Sequence, residues 1–187
     1  FEDQPEYDDI NENLRIWRIP FGGAEFIRKE DMHDHLGKFV TNLLSAIRAR
    51  NLRYDVIYSH YWDAGWAGQK IAEELEVLHV HTPHSLGSWK QQNMSTDLSR
   101  EEMETTYRFK ERIRKEFLVY QMCDHVIATT EPQAELLKQD YDLLSQRMTV
   151  VPPGMDETRF SPFRQAEIKD LQKKYGLQAH DVLTLGR

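Results

Sequence analysis

Four short apolar runs, separated by stretches with helical spacing, constrain this chain more than any single residue does. Residues 55–60 (DVIYSH), 77–82 (VLHVHT), 124–129 (DHVIAT) and 148–151 (MTVV) each have the length and β-branched content of a strand. Between the first two, the small residues Ala64, Gly65, Ala67 and Gly68 open a helix able to approach a sheet closely, and it continues through Ile71, Ala72 and Leu75. One long charged helix is expected from about Arg100 to Met122, and a shorter one carries Ala134, Leu136 and Leu137. Apolar strands separated by helices need a parallel sheet with right-handed crossovers, so the sequence predicts a doubly wound α/β fold, in which the strand at 77–82 reads as buried on both faces.

The flanks extend this pattern. Residues 14–20 alternate apolar and basic side chains, as a half-exposed strand does, and Met32, Leu36, Phe39, Val40, Leu43, Leu44 and Ile47 form the stripe of a long helix reaching about Arg50. A helix near 165–175 and a strand at 182–185 close the chain. Pro152-Pro153-Gly154 is a stiff turn that divides a first domain, 1–153, from residues 154–187. Phe at position 1 and a last strand that stops as it reaches a turn imply a stretch taken from a longer protein.

Composition narrows the partners. With 24 basic and 31 acidic residues the chain carries a formal charge of −7, which repels a polyanion and argues against nucleic acid. A small phosphate can still bind where several basic side chains converge. No apolar run is long enough to span a bilayer, and the single cysteine, Cys123, cannot pair within the chain, so a cytoplasmic protein with no membrane partner is expected.

Parallel sheets bind ligands at the carboxyl ends of their strands, which directs attention to the loops after His60, Thr82, Thr129 and Val151. His79, His81 and His84 lie within six residues. Alternate strand residues share a face, so His79 and His81 either hydrogen-bond within the fold or join His84 on a zinc ion, although no cysteine or nearby carboxylate completes such a set. His84, just beyond the strand among small polar residues, suits a ligand loop. Residues 108–115 hold five basic side chains in eight. They form either a solvated helix face or, through Arg112 with Lys90 or Lys29, a phosphate clamp built on charge and bidentate hydrogen bonds.

Read in order, His81-Thr82-Pro83-His84-Ser85-Leu86-Gly87-Ser88-Trp89-Lys90, Val126-Ile127-Ala128-Thr129-Thr130, Val151-Pro152-Pro153-Gly154-Met155-Asp156 and Arg159-Phe160 resemble retaining glycosyltransferases of the GT-B fold, in the sucrose-phosphate synthase group. The resemblance implies a Rossmann-like N-terminal acceptor domain followed, from residue 154, by a linker and the start of a donor domain. It implies a nucleotide-sugar donor and a sugar-phosphate acceptor, fructose 6-phosphate, with a sugar phosphatase acting downstream. By the same resemblance His84 stands beside the reacting sugar, Lys29, Lys90, Arg112 and, more loosely, Lys110 bind the acceptor phosphate with Ser85, and Arg187 contacts the donor diphosphate. No metal is needed for the charge balance, though magnesium can assist. The opening Phe1-Glu2-Asp3-Gln4-Pro5-Glu6, the run Ser59-His60-Tyr61-Trp62-Asp63-Ala64-Gly65 and Pro83 resemble the branch that uses GDP-mannose more than the branch that uses UDP-glucose. A sugar-phosphate-binding module without turnover and a metal hydrolase are the competing readings.

Overall fold

A computed structural model describes residues 4–23, 25–95, 97–158, 160–178 and 181. They fall into two compact units, one running through Pro152 and the other starting at Pro153.

The first unit opens with an antiparallel hairpin of β1 (Tyr7–Asn11) and β2 (Leu14–Trp17). The strand expected at 14–20 therefore ends at Trp17, and its partner, Tyr-Asp-Asp-Ile-Asn, shows too little apolar alternation to announce itself. Tyr7 stacks on Trp17, and the Arg50 guanidinium lies over both rings while Glu6 holds it at 2.8 Å. The first long helix, α1 (Leu36–Ala49), starts later than its apolar stripe. Met32–Asp34 instead form a 3-10 turn that buries His33 against the Trp62 ring, 4.1 Å between centroids.

The main sheet takes β3 (Val56–His60), β4 (Leu78–Thr82), β5 (His125–Ala128) and β6 (Met148–Val150) in that order, all parallel. Its crossovers contain α2 (Trp62–Leu75) after β3, then α3 (Gly87–Asn93), α4 (Arg100–Tyr107) and α5 (Phe109–Met122) after β4, and α6 (Glu131–Tyr141) after β5. Ser59, His79, His81, Val126 and Ala128 point to the face that these helices cover. The two glycines of α2 allow its close approach: a Cβ on Gly65 would fall 2.5 Å from the His81 ring, and one on Gly68 would fall 3.0 Å from Ser59. Behind His81, Tyr120, Leu137 and Tyr141 join Val126 in a fully buried core, each such side chain contributing about 1.5–3 kcal/mol.

Two expectations need correction. Burial of the 77–82 strand on both faces does not hold among the described residues, since Leu78 on the opposite face is roughly half exposed, beside Val56 and Tyr58 of β3, which are exposed to a similar degree. The single charged helix from 100 to 122 is two helices, because Arg108 adopts a left-handed backbone (φ 50°) that ends α4 and starts α5. Contacts of the Arg108 guanidinium with the chain at 30–34 supply the stabilisation that no glycine or proline provides.

In the second unit, α7 (Gln165–Tyr175) forms as expected and ends on Gly176 with φ 67°. The strand expected at 182–185 lies outside the described residues. Among them, no helix is long and apolar enough to cross a membrane.

Candidate acceptor-binding site

β3 and β4 are register neighbours, His60 opposite Thr82, so their carboxyl ends open side by side. The chain leaves both with a positive φ, 74° at Tyr61 and 58° at His84. Tyr61 donates its N–H to the Thr82 carbonyl (3.0 Å), and its own carbonyl accepts from Gly65 N–H (2.8 Å) in the first turn of α2. These two bonds hold a non-glycine residue where few side chains are found and set the phenol at the strand ends.

Three cations meet that phenol. The Lys29 ammonium donates to the Tyr61 hydroxyl and lies 3.9 Å from the ring centroid. Lys90 Nζ stands 3.5 Å and Arg112 Nη1 3.3 Å from the same oxygen. Burial raises the phenol pKa, but the hydrogen bonds from Lys29 and Ser85 and the charges of Arg112 and Lys29 outweigh it, so the hydroxyl ends below its ordinary value. Arg112 shares its charge with the Glu116 carboxylate, while Lys29 and Lys90 bring two further positive charges to the same oxygen, so the arrangement retains affinity for an anion.

Each cation is placed by a different element. Lys90 rides on α3. Arg112, on α5, is buried: its Nη2 donates to the carbonyl and Oγ of Ser85, both at 3.1 Å, and its Nε donates to Glu116 Oε1 at 2.7 Å. Lys29 sits on the segment before α1, and the break at Arg108 fixes that segment. Arg108 reaches the Glu30 carbonyl at 3.2 Å and both Asp34 carboxylate oxygens at 2.9 and 3.1 Å. Further along α5, Lys115 lies 2.9 Å from His33 Nδ1 and 3.0 Å from Glu111. Much of the basic run is thus spent on internal contacts, which overturns the solvated-face reading for Arg108, Arg112 and Lys115. Together Lys29, Lys90, Arg112, His33, Trp62 and Phe109 line a pocket of about 120 Å³. Lys110 lies elsewhere, lining a hollow with Gln91, Arg100 and Glu104. Arg187 is outside the described residues.

The histidines divide by position. Ser59 Oγ bridges His79 Nε2 (2.7 Å) and His81 Nδ1 (2.8 Å), and Gln69 Oε1 meets His79 Nδ1 at 2.9 Å. Burial drives both imidazole pKa values down, to about 4 for His79 and about 3 for His81, so both rings are neutral at pH 7. His84 is exposed at the strand end, its Nε2 2.9 Å from His60 Nδ1 with the rings stacked. Ser59 Oγ thus sits between the two strand histidines, and His84 pairs with His60 rather than joining them. Among the described residues no three ligand-type side chains are grouped to hold a metal.

Sequence reasoning reached Lys29, Lys90, Arg112 and Ser85 but not Tyr61, the residue on which the cations meet. The available signal was positional: Tyr61 is the first residue after a strand whose carboxyl end was already marked as a ligand loop. Glu116 was also overlooked, although its i, i+4 spacing from Arg112 was visible.

Crossovers on a parallel sheet with an anion-attracting pocket at its carboxyl edge define a Rossmann-like domain of the kind GT-B glycosyltransferases use. The chain belongs to Glycosyltransferase Family 4, whose model it matches over residues 5–159. It is 46% identical over its whole length to mannosylfructose-phosphate synthase from Agrobacterium fabrum, covering 42% of that protein. It is 29% identical over 93% of its length to D-inositol 3-phosphate glycosyltransferase from Corynebacterium jeikeium, covering 40% of it. In fold it matches sucrose-phosphate synthase from Thermosynechococcus elongatus with a TM-score of 0.74 at 24% identity, over 95% of this chain and 41% of that one. The chain thus spans about two fifths of the length of these relatives.

Proposed function

We propose that this chain supplies the acceptor side of a retaining hexosyltransferase that moves mannose from GDP-mannose to fructose 6-phosphate. One observation carries the reading: three cations from three separate elements of an acidic chain converge on one oxygen at the carboxyl edge of the sheet. The names of the two curated relatives fit it, since each contains a phosphorylated sugar or polyol. The 46% identity to the mannosyl enzyme favours its donor and acceptor over UDP-glucose.

In this reading the acceptor phosphate takes charge-assisted hydrogen bonds from Lys29, Lys90 and Arg112, with Tyr61 and Ser85 as neutral partners. These contacts are remote from the reacting hydroxyl, so their energy orients the acceptor and lowers the entropic cost of reaction. His84, at the same edge, orients a hydroxyl of the transferred sugar. The departing diphosphate needs cations as its bond breaks, a role the family resemblance gives to Arg187. The chain from residue 154 onward begins the donor-binding domain. The protein works in the cytoplasm, and a sugar phosphatase consumes its product.

The test is a matrix of GDP-mannose and UDP-glucose against several sugar phosphates, run on the full-length protein. Fastest turnover is expected with GDP-mannose and fructose 6-phosphate. Faster use of UDP-glucose would overturn the donor assignment, and binding of fructose 6-phosphate without product would reduce the protein to a sugar-phosphate-binding module.

A further inference from the structure

We infer that Glu116 is a positioning residue for the acceptor phosphate, setting the aim of two of the three cations; this rests on the acceptor-phosphate reading above. Glu116 is completely buried on α5, where an isolated carboxylate would be strongly disfavoured. It is held by groups from three helices. Oε1 accepts Arg112 Nε at 2.7 Å, Oε2 accepts the Gly87 N–H at 2.8 Å, and the Tyr141 hydroxyl of α6 donates to Oε2. Tyr141 in turn accepts the Ser88 N–H at 3.1 Å.

These contacts orient the two cations. An arginine side chain has several rotatable bonds, and tying down its Nε edge leaves Nη1 directed at Tyr61 and the pocket. The same carboxylate receives the first N–H of α3, the helix that carries Lys90. Gly87 has to be glycine for this to work, because a Cβ there would fall 2.9 Å from Glu116 Oε2 and 3.1 Å from Arg112 Nε. A carboxylate that touches no ligand thereby fixes Lys90 and Arg112 relative to each other.

A residue that only supported the fold would affect all acceptors alike, whereas one that aims the phosphate-binding cations affects phosphorylated acceptors selectively. In the full-length enzyme with GDP-mannose, Glu116→Gln keeps the side-chain shape and removes the charge. The KM for fructose 6-phosphate should rise about tenfold while kcat at saturation stays within about twofold. The ratio of kcat/KM for fructose 6-phosphate to that for fructose should fall about tenfold. A folded Glu116→Gln enzyme with an unchanged ratio overturns the proposal. Should that variant fail to fold, Tyr141→Phe removes one donor to the carboxylate, and a drop of about threefold in the ratio is expected; an unchanged ratio overturns the proposal equally. Lys90→Ala, measured beside them, separates the two levels. If the ratio falls for Lys90→Ala alone, Glu116 loses its positioning role; if it is unchanged for Lys90→Ala as well, the phosphate reading itself fails.

Discussion

The cluster around Ser59 and the cluster around Tyr61 are centred two residues apart, on one strand and its exit, yet they resolve their polarity in opposite ways. Ser59, His79, His81 and Gln69 satisfy one another through neutral hydrogen bonds in the core, leaving only His81 Nε2 without a partner. At Tyr61, by contrast, three cations share one hydroxyl oxygen at the edge of a pocket, and Glu116 pairs with Arg112 but not with Lys29 or Lys90. Polar residues alone therefore do not mark the site. The informative quantity is charge that the protein does not itself neutralise.

Acid should break this comparison most forcefully. The folded pKa values of His79 and His81 lie far below the ordinary 6.5, so the unfolded chain binds protons there that the native state refuses. Stability is full above about pH 6.5 and is lost as pH falls toward 4, at about 1.4 kcal/mol per pH unit for each ring. Buried His33, also pushed down to about 4, adds to the same slope. Chemical denaturation at pH 7, 5.5 and 4.5 checks this, and a flat profile would mean the rings are not held neutral.

Next in size is His84→Ala, expected to lower kcat of the full-length enzyme about a hundredfold, roughly 2.7 kcal/mol, with the fold retained. His79→Ala should instead lower the melting temperature. A well-folded His79→Ala enzyme as inactive as His84→Ala would erase the division between the clusters.

Gly65→Ala probes the core side with a single methyl group that has to displace the buried His81 ring, at a cost of about 1–3 kcal/mol by denaturant titration. Its effect on acceptor KM should be small. Lys90→Ala probes the other side: an acceptor KM raised about tenfold, near 1.4 kcal/mol, with little change in melting temperature. Matching KM values in Lys90→Ala and the parent enzyme would remove Lys90 from the phosphate site.

Much of this was legible in the sequence because it rests on local rules. Strand and helix alternate with distinct periods, so β3 through β6 were readable, and Gly65 and Gly68 announced a close helix–sheet approach. Arg112 stood out because an acidic chain has few reasons to gather five basic residues in eight, and the family resemblance joined Lys29 and Lys90 to it. What stayed hidden depends on tertiary contact overriding local preference. Nothing intrinsic to Arg108 favours a left-handed backbone; Asp34 and Glu30, more than seventy residues away, supply the reason. The seven residues of α3 are too few to show a period, and their start depends on Glu116. The uncovered sheet face was illegible because an apolar strand reads the same whether one or both of its faces are packed within the chain.

The backbone of Tyr61 has a consequence for anyone evolving this protein. With φ 74° and ψ 157° it occupies territory that glycine enters freely and a side chain enters at a cost of about 1–3 kcal/mol. A library screened only for heat tolerance should therefore enrich glycine at position 61, and the hardiest clones would be those that had discarded the phenol. Selection for turnover would push the same codon back. Position 61 is thus a site where two laboratory screens on one gene should diverge, and sequencing both pools would display the trade-off directly.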